Sequence, residues 1–275
     1  MTTTHSSGLA VQAAIFDWAG TLVDFGSLAP TQIFVEVFAQ FDIGITLAQA
    51  RGPMGLSKWQ HIHALLADPA IQQQWQARFG RASTDEDVDA MYRRFMPLQL
   101  SRVGDHSQPI AGASDTLAWL RQAGVKIGSC SGYPREVLNV LLPRAAAAGI
   151  APDCVVAGDD LPAGGRPGPY MALANVLDLA VGDVRRCIKI DDTTPGIEEG
   201  RRAGMWCVGI SLSGNEVGYA PAELARAPAE EVATRQLQAS IRLQGAGAHY
   251  VIDSIADLPA VVIDIDRRLK AGEQP

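Results

Sequence analysis

The sequence predicts an α/β protein: a doubly wound, Rossmann-like core with a parallel sheet, into which an α-helical cap domain is inserted. Short apolar runs of strand length recur between helical patterns along most of the chain. From about residue 27 to residue 103 the pattern changes to helical spacing without strands. In a sheet of this kind ligands bind at the carboxyl ends of the strands, so the functional side chains are expected there.

Six apolar runs are predicted to be the strands of the core. The helix that leads into the second run spans Ala113 to Ala123, and Gly124 provides its stop. The polar run from Glu230 to Gln244 is predicted to be a solvated helix. The predicted strands are Val11 to Phe16, Val125 to Cys130, Cys154 to Ala157, Cys187 to Ile190, Trp206 to Ile210 and Tyr250 to Ile252.

The helical segment 27–103 is predicted to be the cap, which leaves 1–26 and 104–275 as the core domain. Apolar residues follow helical spacing from Ile33 to Phe41. Thr84 is a candidate N-cap for a later helix, because three acidic residues follow it in the first turn. A loop around Asp105 to Pro109 is expected to return the chain to the core.

The composition excludes several classes of function. A formal net charge of -7 gives no basic surface for nucleic acid, and no apolar stretch is long enough to span a bilayer. The first eight residues lack a basic segment followed by an apolar one, so we expect a frayed terminus and a cytoplasmic protein. The cysteines are too widely spaced for a zinc cluster or a disulfide framework and are interpreted as core residues: Cys130, Cys154, Cys187 and Cys207.

Asp17 follows the first predicted strand and precedes a loop that contains Gly20 and Thr21. A carboxylate in this position can attack phosphorus while loop amides and the Thr21 hydroxyl hold the phosphoryl oxygens. An Asp that merely caps a loop is the alternative. Ala19, two residues after Asp17, has a side chain that transfers no proton.

The ends of the second and third strand regions offer groups that recognise phosphate. Ser131, with Gly132 and Tyr133 after it, follows the second strand, and its hydroxyl suits a phosphoryl oxygen. Ser129 is the neighbouring possibility. Arg166 lies on a rigid Gly/Pro loop, where a guanidinium would bind phosphate oxygens bidentately.

Asp191 and Asp192 follow the fourth predicted strand. Two carboxylates on one loop are typical of a site for a hard cation, and Mg²⁺ prefers such oxygen ligands. We expect Mg²⁺ to be shared with Asp17, with Asp192 as the first choice of ligand and Asp191 as the second. The backbone carbonyl of Ala19 is expected to contribute as well.

These four segments, in this order, resemble the four motifs of the haloacid dehalogenase superfamily, and the resemblance covers most of the chain. It implies an aspartyl-phosphate intermediate on Asp17. Phosphatases of that superfamily usually carry a second Asp at the position of Ala19 and a Lys at the position of Arg166. Whatever leaves from phosphorus here must therefore be activated by another group.

The cap supplies such a group. The run from Arg51 to His61 and the motif Asp-Trp-Ala-Gly-Thr at Asp17 resemble the phosphonoacetaldehyde hydrolase family. The resemblance implies that Lys58 forms an imine with the substrate aldehyde and that Met54 lies near it. Cleaving carbon from phosphorus would expel a carbanion, whereas a protonated imine accepts those electrons as an enamine.

Two features of the predicted α-helix that begins near Lys58 support this interpretation. Ser57 is a candidate N-cap, and the positive helix end and burial would lower the lysine pKa, as attack on a carbonyl requires. His61 lies three residues later on the same face, where it can relay protons or hold a water.

The predicted function is therefore hydrolysis of a small phosphonate, phosphonoacetaldehyde, to acetaldehyde and phosphate. The alternatives are a capped phosphomonoesterase or phosphomutase, and a phosphate-binding protein without catalysis. A dehalogenase would leave the two acidic residues after the fourth strand without a role. The resemblance also implies a homodimer formed through the cap. The aromatic helix from Phe34 to Phe41 is a candidate contact, although its apolar face equally fits a place in the core.

Overall fold

The computed structural model describes residues 8–275, so the first seven residues of the predicted frayed segment lie outside the described residues. A six-stranded sheet in the order β3-β2-β1-β4-β5-β6 organises these residues. Every pairing in it is parallel, which confirms the predicted fold class. The strands are β1 (Ala13–Phe16), β2 (Lys126–Cys130), β3 (Cys154–Val156), β4 (Cys187–Asp191), β5 (Trp206–Ile210) and β6 (Tyr250–Ile252).

The α-helices divide between the two sides of the sheet and the inserted segment. Those before β2 are α1 (Leu28–Ala39), α2 (Leu47–Arg51), α3 (Lys58–Leu66), α4 (Pro69–Phe79), α5 (Asp85–Arg102) and α6 (Ala113–Gln122). Those after it are α7 (Arg135–Ala147), α8 (Tyr170–Asp178), α9 (Thr194–Ala203), α10 (Pro221–Leu224), α11 (Ala229–Gly245) and α12 (Leu258–Lys270). Short 3₁₀ turns span Val103–His106, Val184–Arg186 and Ile255–Asp257.

Strand β1 lies at the centre of the sheet and is buried on both faces. Ala14 and Phe16 pack into a cluster with α6, α7 and α12, whereas Ala13 and Ile15 pack into a second cluster with α8. This explains why the strand is a continuous apolar run rather than an alternating one. The chain reverses its direction of winding between β1 and β4, and a doubly wound sheet forms its binding crevice at such a point.

The segment 27–103 contains helices α1 to α5 and no strand. Thr84 precedes α5, and its backbone N–H donates to Asp87. Two details differ from the sequence predictions. Helix α1 ends at Ala39, before Phe41, and the return to the core begins with a 3₁₀ turn rather than an open loop. The division into a cap of 27–103 and a core of 1–26 and 104–275 stays a prediction.

The cap segment has an apolar centre of its own. Phe34 and Phe38 are fully buried there, together with Trp75 and Phe95. The apolar side of α1 is therefore core, which was the second of the two interpretations of this helix. The four cysteines all carry free thiols and lie in strands, as predicted, although Cys154 is only half-buried.

Candidate active site

Asp17 is held at the carboxyl end of β1 by the strand beside it. Its backbone N–H donates to the carbonyl of Ile190 in β4 at 2.9 Å, and its side chain is only 6% exposed. The chain then turns tightly, because the carbonyl of Trp18 accepts hydrogen bonds from the three amides at positions 21–23. Gly20 has a φ of +87°, and a Cβ there would lie 2.1 Å from the carboxylate of Asp192. Glycine at this position thus brings the loop after β1 against the loop after β4.

Arg166 lies at the centre of a buried charge network. Its guanidinium contacts the carboxylates of Asp17 at 2.8 Å, Asp191 at 3.1 Å and Glu199 at 2.9 Å. The side chain is only 1% exposed. Three carboxylates around one guanidinium fix its position in the cavity wall, with one side facing the proposed nucleophile.

Lys189 completes this network, and the sequence analysis gave it no role. Its ammonium contacts Asp191 at 2.8 Å and Glu199 at 3.3 Å, and both Lys189 and Glu199 are fully buried. The signal for Lys189 is visible in the sequence, because it is the one charged residue inside the apolar run from Cys187 to Ile190. Glu199 lies on α9 and carries no such signal, since its burial arises from packing against the sheet.

Asp191 and Asp192 have different surroundings. One oxygen of Asp191 accepts from the backbone N–H of Thr193 at 3.0 Å and from its hydroxyl at 2.7 Å, and the other contacts Lys189 and Arg166. Asp192 accepts from the backbone N–H of Asn215 at 2.7 Å and from the Thr21 hydroxyl at 3.3 Å. No lysine or arginine among residues 8–275 forms an ion pair with Asp192.

The carboxylates of Asp17, Asp191 and Asp192 form a compact group, with one oxygen of each within 4.8 Å of the others. Burial and the charge of Asp191 raise the pKa of Asp17 to about 6, although Arg166 and Lys189 oppose the shift. Burial and the charges of Asp17 and Asp191 raise the pKa of Asp192 well above its usual range. Burial would also raise the pKa of Asp191, but Arg166 and Lys189 outweigh it and the pKa is lowered.

The donor set fits a divalent cation. With Glu199, the network holds four buried carboxylates against the two cations Arg166 and Lys189. Asp192 in particular has no cationic partner among residues 8–275, and a hard cation beside it would relieve the excess negative charge. The carbonyl oxygen of Ala19 accepts no hydrogen bond from any group in residues 8–275, so it is available as a further ligand.

Groups that donate hydrogen bonds surround the position opposite Asp17. The backbone N–H groups of Trp18, Ala19 and Gly132 donate to no acceptor within the described part of the chain. The Ser131 hydroxyl accepts from the backbone N–H of Tyr133 at 3.0 Å and lines the cavity. Ser129 is fully buried and donates to the Cys154 carbonyl instead, so of these two candidate serines Ser131 is the one that lines the cavity.

The cap delivers Lys58 to the same cavity. Ser57 is the N-cap of α3, with its hydroxyl accepting from the backbone N–H of Gln60, and Lys58 is the first helical residue. The Lys58 Nζ lies 5.0 Å from the ring centroid of Tyr133 and 5.8 Å from that of Phe34. Lys58 forms no ion pair with a carboxylate of residues 8–275. Burial lowers its pKa to about 8, although the charge of Asp17 opposes the shift.

His61 is buried one turn further along α3. Its Nε2 lies 2.9 Å from the carbonyl oxygen of Ala50, which can only accept, so Nε2 carries the proton. Burial, followed by the charge of Lys58, lowers the pKa of His61 well below its usual value, so the ring is neutral. Its Nδ1 is therefore an acceptor, and it is buried without a hydrogen-bond partner among the described residues.

The cavity between these elements is small, with a volume of about 20 Å³. Thr21, His61, Asp191 and Asp192 lie behind its wall rather than on its surface. Of the twelve candidate residues, the structure brings the following to the surface: Asp17, Ala19, Met54, Lys58, Ser131, Gly132, Tyr133 and Arg166. Gly132 is needed for close approach of the cap, because a Cβ there would lie 2.5 Å from the Leu56 carbonyl oxygen.

Comparison with known proteins agrees with this architecture. The family model described as haloacid dehalogenase-like hydrolase matches residues 11–204. The phosphonoacetaldehyde hydrolase of Klebsiella pneumoniae subsp. pneumoniae is 60% identical over 266 residues, which cover 96% of this chain and 99% of the relative. That of Salmonella typhimurium is 58% identical with the same coverage.

The chain belongs to the phosphonoacetaldehyde hydrolase family of haloacid dehalogenase-like hydrolases. The crystal structure of a phosphonoacetaldehyde hydrolase-like protein from Oleispira antarctica superposes over 100% of both chains, with a TM-score of 0.94 and 44% sequence identity. A putative β-phosphoglucomutase from Bacteroides vulgatus, 17% identical with a TM-score of 0.67, shares the fold alone. Within residues 8–275, no helix is both long and apolar enough to cross a membrane.

Proposed function

We propose that the protein hydrolyses the carbon–phosphorus bond of phosphonoacetaldehyde to give acetaldehyde and phosphate. The proposal rests mainly on one observation. A buried lysine with a lowered pKa and no carboxylate partner faces the same small cavity as a buried, strand-end aspartate. The first group suits an aldehyde and the second suits phosphorus, and a phosphonoaldehyde holds both in one molecule.

The reaction proceeds in an order that this geometry supports. Neutral Lys58 attacks the aldehyde and releases water to give a protonated imine. The Asp17 carboxylate then attacks phosphorus, the carbon–phosphorus bond breaks, and its electron pair enters the enamine. Protonation of the enamine carbon restores an imine, which water hydrolyses to acetaldehyde and free Lys58. A second water hydrolyses the aspartyl phosphate, so the whole reaction consumes one water.

The neighbouring residues receive roles from their contacts. Arg166, the Ser131 hydroxyl and the free N–H of Gly132 bind the phosphoryl oxygens, assisted by the free amides after Asp17. The partnerless Nδ1 of His61 accepts a proton or orients a water during imine formation. Met54 and Tyr133 enclose the aldehyde end and keep bulk water from the imine.

Magnesium is part of the proposal. Asp17, Asp192 and the Ala19 carbonyl would hold Mg²⁺, which would offset negative charge as the phosphonate meets the nucleophile. Asp191 is instead tied to Lys189, Arg166 and Thr193, so it supports the site from behind. Thr21 likewise orients Asp192 rather than the substrate.

Ala19 argues against the alternative of a phosphomonoesterase or phosphomutase, because no acid stands there to protonate an oxygen leaving group.

A homodimer formed through the cap and a cytoplasmic location belong to the proposal too. Since Phe34 and Phe38 are buried within one chain, a dimer contact would have to use another part of the cap. Light scattering on the purified protein measures the mass that decides this point.

Borohydride trapping tests the imine. The protein is incubated with phosphonoacetaldehyde and Mg²⁺, reduced, digested and analysed by mass spectrometry, while acetaldehyde release is assayed without reduction. Mapping is simple because the chain has four lysines, at positions 58, 126, 189 and 270. We expect an ethyl adduct on Lys58 together with turnover. Turnover without an adduct would support the activity but contradict the imine mechanism. The absence of both turnover and adduct would overturn the proposal, and phosphate esters would then be tested as substrates.

A further inference from the structure

The structure contains a second contact between cap and core, away from the cavity. It lies beside a groove of about 640 Å³ between α2 and α11. Arg51, the last residue of α2, projects from the cap onto a core loop after β5, residues 213–218. Arg51 precedes Lys58 by seven residues in the same cap segment, so the contacts that position Arg51 also help to position Lys58.

The Arg51 guanidinium binds backbone carbonyls rather than a carboxylate. Its Nη1 donates to the Gly26 carbonyl at 2.7 Å and to the Asn215 carbonyl at 3.2 Å, and its Nη2 donates to the Gly218 carbonyl at 2.8 Å. The contact is reciprocal, because the Asn215 side-chain amide donates to the Arg51 carbonyl at 3.2 Å. Gly26 immediately precedes the cap segment, so the Arg51 side chain joins the connection into the cap with the core loop.

The core loop is shaped to receive this side chain. Gly218 has a φ of +66°, and a Cβ there would lie 2.5 Å from the Arg51 Cζ. On its other side, Gly214 approaches Asp192 so closely that a Cβ would lie 2.6 Å from the aspartate Cβ. Two glycines therefore let the loop fit between Arg51 and Asp192.

The same loop orients Asp192. The backbone N–H of Asn215 donates to the Asp192 carboxylate at 2.7 Å, and Asn215 is only 1% exposed. The Ser213 hydroxyl donates to the Gly20 carbonyl in the loop after β1 at 3.1 Å. A chain of direct contacts thus runs from Arg51 through Asn215 to the carboxylate proposed to hold the metal.

We propose that Arg51 is a positioning residue that acts as a latch, holding the cap closed over the cavity and fixing Asp192 through Asn215. The purpose of the latch rests on the proposed function, whereas the contacts of Arg51 do not depend on it. When the guanidinium docks, Lys58 is set over Asp17 and Asp192 is set for its ligand in the same movement. A lysine cannot replace it, because a single ammonium lacks the planar fork that reaches carbonyls on both sides.

The test compares Arg51→Ala and Arg51→Lys with Gln238→Ala as the control. Gln238 lines the same groove from α11 and is exposed, and no hydrogen bond among residues 8–275 joins its side chain to the loop 213–218. For Arg51→Ala we expect kcat to fall about 100-fold with KM changed by less than about threefold, since the latch places the reacting groups without touching the phosphonate. Arg51→Lys should recover little of this loss, and Gln238→Ala should match the unaltered protein.

Two further measurements separate a latch from a general structural role. Added guanidinium chloride at millimolar concentration should restore part of the activity of Arg51→Ala, whereas methylammonium chloride, a cation without the fork, should not. In calorimetry, Mg²⁺ should bind Arg51→Ala about tenfold more weakly, as expected when a group that orients a ligand is lost. Equal restoration by both cations, or an unchanged kcat, would overturn the proposal.

Hydrogen exchange provides a readout without substrate or metal. In Arg51→Ala and Arg51→Lys, the amides of residues 214–218 should exchange faster while those of β1 and β4 stay protected. If the unaltered protein fails to release acetaldehyde, the proposed function fails, yet this exchange still decides whether Arg51 holds the loop. Unchanged exchange at 214–218 in both variants would refute the latch, even if the unaltered protein is active.

Discussion

Two buried lysines in this molecule have opposite acid–base properties. Lys189 in the core lies between Asp191 and Glu199, and although burial would lower its pKa, the two carboxylates raise it. Lys58 in the cap is almost as deeply buried, yet it faces the ring of Tyr133, and its pKa falls to about 8. The difference follows from the partners, because desolvation acts on both lysines in the same direction.

The contrast explains how the two halves divide the chemistry. In the core, cations are fixed by carboxylates, so Lys189 and Arg166 act as permanent charges beside the phosphorus-binding groups. In the cap, a lysine without a carboxylate partner loses its proton easily and becomes a nucleophile. In the proposed reaction the core supplies the phosphoryl chemistry and the cap adds the amine chemistry.

Asp17→Asn should have the largest effect. An amide cannot attack phosphorus, so acetaldehyde release should fall on the order of 10⁵-fold, as for loss of other nucleophiles. The cap half should survive, and borohydride should still trap phosphonoacetaldehyde on Lys58. Circular dichroism checks that the fold is intact. If Asp17→Asn lost imine trapping as well as turnover, imine formation in the cap would depend on the core nucleophile, which contradicts the contrast between the two lysines.

Lys58→Met should lower kcat/KM for phosphonoacetaldehyde on the order of 10⁴-fold, because no imine can form and the carbon leaving group stays unactivated. Met fits the apolar wall around this position. Mg²⁺ binding to the core, measured by calorimetry, should change little. Lys270→Met, at the exposed end of α12, is the control and should leave the rate unchanged. A rate loss below tenfold in Lys58→Met would contradict the amine chemistry of the cap.

Lys189→Met should act on stability first. It leaves Asp191 and Glu199 buried with one cation fewer, which typically costs about 3–5 kcal/mol in the free energy of unfolding. Urea denaturation measures this loss, and Lys58→Met should not share it, since its ammonium has no such partners. Equal destabilisation by the two variants would erase the contrast between a fixed charge and a reactive amine.

Much of this site was predictable because its residues follow strands directly. Asp17 and the pair Asp191 and Asp192 come after buried runs, and parallel strands bring such positions to one edge of the sheet. Lys58 was predictable from the motif in the cap and from the need created by Ala19. The topology of the sheet brings these strand ends together, and the strand pattern of the sequence predicts that topology.

What escaped prediction depends on distant packing. Glu199 reaches Arg166 across 33 positions, and its burial follows from how α9 lies on the sheet. The partnering that separates Asp191 from Asp192 depends on Asn215, which comes from a loop after another strand. The contact of Arg51 with that loop requires the cap to be closed, a property that no local pattern encodes.

The pH dependence of kcat/KM should show the smallest effect and isolates the cap lysine. Lys58 attacks only when neutral, so with a pKa of about 8 the rate should rise about tenfold per pH unit up to pH 8 and level off above it. Asp17, with a pKa of about 6, is mostly ionised from pH 7 upwards, so the rise between pH 7 and pH 8 belongs to Lys58. In Asp17→Asn, the yield of trapped imine should show this limb moved to lower pH, because the charge of Asp17 raises the pKa of Lys58. A limb near pH 10.4, the value of an unperturbed lysine, would mean that burial under the cap does not prepare Lys58 for attack.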